Sequence, residues 1–181
     1  MHTLIVGSNQ SGMGPFIDRL LAALERKPKL YGYRSVKESP DKTGACPIYI
    51  YPAVGERSQG PSNLLGWCRE QQAIAFPEAF ERHVHLIKSA KPDGLLVLDE
   101  IGPMESRSPQ FCAAVMAALD WDVPVLAAVR DKNTPFLKGV RGHKNALNFE
   151  LTQENAALLY HDVLVFLQLQ IGKGDMNGET R

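Results

Sequence analysis

The sequence predicts a three-layer α/β protein, in which a mainly parallel sheet is covered by helices on both faces. Two observations support this fold class. The strand candidates TLIV, GLLVL and VPVLAAV are continuous apolar runs, which are typical of strands buried on both faces. Segments with helical spacing of apolar residues separate them. With 181 residues, 44% of them apolar, the chain is long enough for one core. We therefore expect one domain over residues 1–170 and a disordered tail over 171–181.

The first half of the chain alternates strands and helices in the expected order. After the first strand, PFIDRLLAALERK has apolar residues at helical spacing, and Pro15 suits the first turn of that helix. LYGYRSVKE and ACPIYIYPA are rich in tyrosine and β-branched residues, and the DKTG between them is a turn signal, so they predict a hairpin. VGERSQGPSN predicts a polar loop, and PEAFERHVHLIKSAK predicts a helix that ends at Pro92.

The second half continues the same alternation. DGLLVLDE predicts a buried strand, and SPQFCAAVMAALDW predicts a helix with Ser108 as its cap and a proline behind it. VPVLAAV predicts another buried strand, and HKNALNFELT holds a short one. TQENAALLYHDVLVFLQLQI predicts a long amphipathic helix with Thr152 as the cap.

Composition and charge narrow the range of partners and locations. The formal net charge is zero, which gives no electrostatic reason to expect nucleic acid or an anionic membrane surface as a partner. No segment approaches the roughly 20 apolar residues that span a bilayer, and the chain starts without a signal-peptide pattern. Three cysteines far apart in sequence predict buried thiols rather than a zinc or redox motif. We expect a cytoplasmic protein.

The segment Gly7–Gly14, GSNQSGMG, matches part of the phosphate-loop pattern GxxxxGK[ST] and is called the loop segment below. Gly7 and Gly12 hold the two glycine positions, directly after a strand and before a helix. Met13 replaces the lysine that contacts the outer phosphates, and Gly14 replaces the hydroxyl that holds magnesium. Pro15 removes one further N–H donor. From this pattern alone, a damaged phosphate loop and an ordinary strand-to-helix turn are both consistent with the sequence.

A second stretch, LLVLDE, is a hydrophobic strand that ends in Asp99 and Glu100, called the acid pair below. Ligands of parallel sheets bind beyond the carboxyl ends of the strands, so the acid pair and the loop segment should face one crevice. In one subclass of phosphate-loop hydrolases the aspartate holds magnesium and the glutamate orients the attacking water. The combination favours a nucleotide crevice, whereas an acid pair alone is often a helix cap or a solvated edge.

Four stretches together resemble a known family. They are GSNQSGMG, LYGYRSVKES, DEIGPMES and LTQEN, in that order along the chain. The chain resembles the small nucleoside-triphosphatase family of thermophiles and animals, whose members have a RecA-like P-loop fold and hydrolyse ATP and GTP. The resemblance covers Met1 to about Gln170. DEIGPMES and LTQEN are the specific parts, and the loop segment is where this sequence departs from the family.

The resemblance implies roles for individual residues. Asp99 matches the magnesium-side aspartate and Glu100 the catalytic acid. The loop segment, where Ser8, Asn9, Gln10 and Ser11 stand between the two glycines, matches the nucleotide-binding loop, with no lysine at Met13 and no hydroxyl at Gly14. The implied cofactor is magnesium with ATP or GTP, if any. The sequence predicts a weak or inactive relative that acts as a binding or regulatory module. The alternative is an active magnesium-dependent nucleoside triphosphatase with an unusual loop.

Other cations offer a replacement for the missing lysine. Arg130 ends the strand VPVLAAVR, and the strand order of this subclass would aim Arg130 at the crevice, in a catalytic role. Arg34 and several other cations lie on candidate rim loops, where a solvated surface position is the ordinary expectation. The four polar residues of the loop segment suit either an anion or a plain turn. We expect at most weak binding of a nucleotide or small anion, because nothing evident in the sequence offsets the acid pair.

Overall fold

The computed structural model describes residues 1–70 and 72–176 and contains an eight-stranded sheet. Its strand order is β5-β4-β3-β2-β6-β7-β1-β8. Strands β8, β1, β7, β6 and β2 are parallel, and β3, β4 and β5 extend the sheet as an antiparallel meander. The bounds are β1 His2–Gly7, β2 Lys29–Lys37, β3 Cys46–Pro52, β4 Leu64–Arg69, β5 Gln72–Ala75, β6 Gly94–Ile101, β7 Val125–Arg130 and β8 Ala146–Leu151.

Helices cover both faces of this sheet, so the predicted three-layer α/β class is confirmed. The bounds are α1 Met13–Ala23, α2 Pro77–Arg82, α3 Val84–Lys88, α4 Pro109–Ala118, α5 Pro135–Arg141 and α6 Ala156–Met176. One core cluster lies between the sheet and α2 to α5, and a second lies between the sheet and the pair α1 and α6. Strands β1, β6 and β7 contribute side chains to both clusters. Their sequences are therefore apolar at successive positions. No helix in the described part of the chain is long and apolar enough to cross a bilayer.

The predicted continuous helix over PEAFERHVHLIKSAK is wrong, because the chain breaks at His83 into α2 and α3. The Nδ1 of His83 contacts the carbonyl oxygen of Ala79 at 2.7 Å. That oxygen is the acceptor that the backbone N–H of His83 would use in a continuous helix, and this N–H bonds to the carbonyl of Phe80 instead. Competition by the side chain therefore ends α2.

Two predicted caps behave differently. Ser108 precedes α4 with extended backbone and Pro109 at the first helical position, as expected, but its hydroxyl is buried and makes no hydrogen bond among the described residues. Thr152 lies farther from its helix than predicted. Its Oγ1 accepts the N–H of Asn155 at 3.2 Å and closes the turn that leads into α6. The helix itself begins at Ala156.

The carboxyl end of the chain and the cysteines also need correction. Helix α6 continues through Met176, so residues 171–176 are helical instead of belonging to a tail, while residues 177–181 lie outside the described residues. The three cysteines are free and half-buried, not fully buried. Cys46 and Cys68 lie opposite each other on the antiparallel strands β3 and β4, a proximity that their sequence separation hides.

Candidate functional site

The acid pair lies at the carboxyl end of β6, where the strand ladder contains a bulge. Leu98 pairs with Ala127 of β7, and Ile101 is the next residue to pair, with Val129. Asp99 and Glu100 therefore stand opposite a single residue of β7. A bulge of this kind redirects side chains at the end of a strand. Asp99 contacts Arg34 of β2 on one side, and Glu100 contacts Arg130 of β7 on the other.

Asp99 forms a buried ion pair with Arg34 of β2. The two residues are direct register partners on parallel strands, and Arg34 Nη1 donates to Asp99 Oδ2 at 3.0 Å. Arg34 Nη2 also lies 2.7 Å from Oδ1 of Asp18, an exposed residue of α1. Both Arg34 and Asp99 are 7% exposed. Arg34 is therefore a buried strand residue, and its expected position on a solvated rim loop is wrong.

Glu100 pairs with Arg130, the last residue of β7. Arg130 Nη1 lies 3.3 Å from Glu100 Oε1. Since β7 lies between β6 and β1, Arg130 also stands beside the loop segment, and its register partner on β1 is Gly7. Arg130 thus lies between the acid pair and the loop segment, and its catalytic role stays a prediction. The Nε of Arg130 is buried without a hydrogen-bond partner in the described structure.

The two arginines change the charge balance that the sequence suggested. Burial raises the pKa of Asp99 above its ordinary value, and the Arg34 guanidinium opposes that rise. Burial likewise raises the pKa of Glu100, and Arg130 opposes it. Each acid has its own cation, so the expectation that nothing offsets the acid pair is wrong. The pairing of Asp99 with Arg34 could not be read from the sequence, because the two residues are remote along the chain.

The loop segment closes tightly over its own first residue. A Cβ atom added at Gly7 would lie 2.2 Å from Ser11 Oγ, so only glycine fits there without displacing Ser11. Ser11 Oγ donates to the carbonyl of Ser8 at 2.9 Å, and the N–H of Gln10 donates to Ser8 Oγ at 3.3 Å. Two serines are thus occupied within the turn. Gly12 has φ 77, a left-handed conformation that favours glycine.

Other contacts leave part of the loop segment available. The carbonyl of Gln10 accepts Gln153 Nε2 at 2.8 Å, which joins the loop segment to the stretch before α6. The first turn of α1 leaves the N–H groups of Met13 and Gly14 without intrahelical acceptors. Pro15 has no N–H to offer. The backbone donors of Met13 and Gly14 are therefore free of intrahelical partners at this helix end.

Met13 is a core residue of the α1 and α6 side of the sheet. It is 4% exposed and belongs to the same cluster as Ile5, Phe16 and Ile17. Its helical spacing to Phe16 and Ile17 is a signal in the sequence for this inward orientation. Gly14, in contrast, has open space, and a Cβ atom there would lie 3.8 Å from Asp99 Oδ2. The loop segment and Asp99 are therefore direct neighbours, as predicted.

Glu105, which sequence reasoning did not single out, lies buried behind the acid pair. Its Oε2 accepts the N–H of Gly102 at 2.8 Å and so holds the turn after β6. Burial raises the pKa of Glu105 to about 7, and the nearby Glu100 acts in the same direction. Tyr33 donates its hydroxyl to the carbonyl of Glu100 at 3.2 Å. The spacing DEIGPME already contains this third acid, which a search for crevice carboxylates in the sequence would have found.

A parallel sheet with a glycine-bounded strand-to-helix turn beside a strand-end acid pair defines a P-loop NTPase type of protein. The comparison with protein families agrees with this class. The family model described as NTPase matches residues 62–164. The chain belongs to that family, and the match includes the acid pair and Arg130 but not the loop segment.

Curated relatives match a shorter stretch. The chain is 37% identical over 76 residues to the nucleoside-triphosphatase THEP1 of Thermofilum pendens, with 41% of this chain and 42% of the relative aligned. It is 29% identical over 84 residues to the nucleoside-triphosphatase THEP1 of Thermotoga petrophila, covering 46% and 47%. The matched region thus spans less than half the length of each of these two relatives.

Solved structures match almost the whole fold. The crystal structure of THEP1 from Aquifex aeolicus superposes with a TM-score of 0.72 at 19% identity, covering 93% of this chain and 99% of that one. The solution structure of a human cancer-related nucleoside triphosphatase gives a TM-score of 0.66 at 22% identity, covering 93% and 97%. At such identities the likeness shows the fold. In fold, the chain is therefore similar to THEP1 and to the human nucleoside triphosphatase.

Proposed function

We propose that this protein is a nucleoside-triphosphatase relative that binds phosphate anions or nucleotides weakly and hydrolyses them slowly or not at all, as a binding or regulatory module. One observation carries the proposal. Met13, at the position of the phosphate-loop lysine, packs into the apolar core. No charge from that position reaches the outer phosphates. A unit charge at about 4 Å is worth about 4 kcal/mol at an effective dielectric near 20, or about a thousandfold in rate or affinity.

The remaining donors support weak binding. The N–H groups of Met13 and Gly14 lie at the positive end of the α1 dipole, which favours an anion. Ser11 and the N–H of Gln10 are used within the turn, so they contribute less than an open loop would. We infer a dissociation constant in the millimolar range, about 4 kcal/mol. A cytoplasmic location and the absence of nucleic-acid and membrane partners, expected from the sequence, belong to the same proposal.

One observation favours the alternative, an active nucleoside triphosphatase. Asp99 lies beside Gly14, and Glu100 and Arg130 meet at 3.3 Å next to the strand that carries the loop segment. An acid beside a cation that could stabilise transferred charge supports this alternative. The acid pair is already engaged by Arg34 and Arg130, so it supports turnover less strongly than the buried Met13 opposes it.

The test is a turnover measurement with ATP and GTP on the purified full chain. We expect rates far below the range of about 1 to 1,000 per second that is typical of enzymes. The matched variants are Glu100→Gln, which removes the acid, and Glu81→Gln, which removes an acid from α2 outside the crevice. Turnover within the typical range that Glu100→Gln abolishes and Glu81→Gln does not would establish the active alternative.

A further inference from the structure

The fold class implies a magnesium ion beside Asp99, and the side chains present there do not fit one. Magnesium requires oxygen ligands in near-octahedral geometry, commonly one or two carboxylates, and in phosphate loops a hydroxyl as well. Gly14 supplies no hydroxyl, and Oδ2 of Asp99 already accepts Arg34 Nη1 at 3.0 Å. In the described part of the chain, no group of three His, Cys, Asp or Glu side chains is arranged to hold a metal.

We infer that the Arg34 guanidinium takes the place of the divalent cation, so that this crevice receives phosphate anions without magnesium. Arg34 is held from two sides, by Asp99 Oδ2 at 3.0 Å and by Asp18 Oδ1 at 2.7 Å, and only 7% of the residue is exposed. A guanidinium fixed in this way is a permanent positive charge. It repels a second cation at the same carboxylate and requires no metal to balance Asp99.

The position of Arg34 follows from the sheet and is not a chance surface contact. Arg34 and Asp99 are the last register partners of β2 and β6, where a metal beside Gly14 would also have to lie. Arg130 provides the same compensation for Glu100 from β7. Both strand-end acids are thus neutralised by arginines built into neighbouring strands. The anion in this inference rests on the proposed function, whereas the exclusion of metal rests on the contact of Arg34 with Asp99.

The first experiment measures metal binding without any nucleotide. The full chain is titrated with Mn²⁺, a paramagnetic substitute for magnesium, and free Mn²⁺ is followed by electron paramagnetic resonance. We expect no site tighter than about 1 mM in the wild type. Arg34→Gln should expose a site at least about tenfold tighter, and the double variant Arg34→Gln with Asp99→Asn should lose it again. Arg82→Gln, an exposed arginine of α2, should behave as the wild type.

A second measurement covers the case in which Arg34→Gln does not fold. Asp99→Asn leaves Arg34 paired with Asp18, so that variant should stay folded. If the inference holds, Asp99→Asn leaves Mn²⁺ binding unchanged. A wild-type Mn²⁺ site that Asp99→Asn removes would overturn the inference, and so would a folded Arg34→Gln variant that gains no site.

ATP titrations then separate this inference from the proposed function. We expect the same dissociation constant, within about twofold, in magnesium and in EDTA. Binding that is tenfold tighter with magnesium would overturn the inference while leaving a nucleotide site in place. If ATP binds in neither condition, the proposed function fails, and the Mn²⁺ titration still decides whether Arg34 excludes the metal.

Discussion

Arg34 and Asp99 lie directly opposite each other on two parallel strands and form a hydrogen-bonded ion pair 3.0 Å long, buried at the end of the sheet. The pair is asymmetric. Arg34 has a second partner in Asp18, whereas Asp99 has Arg34 as its ion-pair partner in the described structure. Loss of the arginine therefore leaves a buried carboxylate without its ion-pair partner, but loss of the aspartate leaves the arginine paired with Asp18.

This asymmetry predicts unequal costs of substitution. We expect Arg34→Gln to lower the free energy of unfolding by about 3 kcal/mol, because it leaves a buried charge uncompensated. Asp99→Asn should cost clearly less, and the double variant should cost less than the sum of the two. Urea unfolding of the four proteins measures this directly. Equal costs for the two single variants would show that Asp18 does not hold Arg34.

The buried position of Met13 gives a second prediction. Met13→Lys should lower the free energy of unfolding by about 2–4 kcal/mol, since it removes apolar packing and brings an ammonium group against the core. Met13→Leu conserves apolar volume and should cost less than about 1.5 kcal/mol. Thermal unfolding of both variants tests this. A lysine variant as stable as the leucine variant would mean that the side chain at this position turns to the crevice.

The close approach within the loop segment gives a third prediction. Gly7→Ala should destabilise the protein by about 1–3 kcal/mol, because its Cβ atom would meet Ser11 Oγ at 2.2 Å and Ser11 Cβ at 3.0 Å. Gly14→Ala is the control, since its Cβ atom has nothing nearer than Asp99 Oδ2 at 3.8 Å. Chemical unfolding compares the two. Adding Ser11→Gly to Gly7→Ala should recover part of the loss; if it does not, the steric explanation is wrong.

Glu105 gives a prediction about pH. Its pKa is about 7 in the folded protein against an ordinary value of 4.5, so the folded state keeps a proton that the unfolded chain releases. The contribution of Glu105 to the free energy of unfolding is therefore fully present below about pH 4.5. It is lost as the pH rises to about 7, by about 3 kcal/mol in total. Glu105→Gln keeps an acceptor for the Gly102 N–H and should remove this part of the pH dependence.

Urea midpoints at pH 5, 6, 7 and 8 provide the measurement for Glu105. The charged or titratable groups that interact electrostatically with Glu105 are Glu100, Arg130, Tyr33 and Cys112. The pKa values of Asp99 and Glu100 are also raised and remain so in the variant, so a smaller decline with pH should persist. Identical pH profiles for the wild type and Glu105→Gln would contradict the buried acid described for this position.

The sequence predicts the parallel centre of the sheet well and its edge poorly. Strands β1, β6 and β7 are buried on both faces, so their apolar runs are visible without any tertiary information. Strands β4 and β5 were not predicted, because they are short, half-exposed and separated by two residues. Helix α5 was missed for a similar reason, since its seven residues show too few turns for a periodic pattern.

In the candidate site, positions set by the end of a strand were predictable from the sequence, and positions set by contacts with remote residues were not. The loop segment and the acid pair each follow a strand, so their meeting at one edge follows from parallel topology. Arg130 was predictable because it ends a strand. The burial of Arg34 was not, because it depends on its register with a carboxylate on another strand and on a second acid from α1.

The burial of Met13 also affects how much conformational entropy the loop segment loses when a ligand binds. In many phosphate-binding loops, part of the binding energy is consumed in ordering a mobile backbone. Here a side chain seated in the core fixes the start of α1, and contacts from Ser11 and Gln153 fix the turn before it. The conformational entropy of this turn is therefore lost during folding and not on binding. An arriving anion would therefore meet a preorganised turn, and its binding should change the heat capacity and the amide hydrogen exchange of this segment very little.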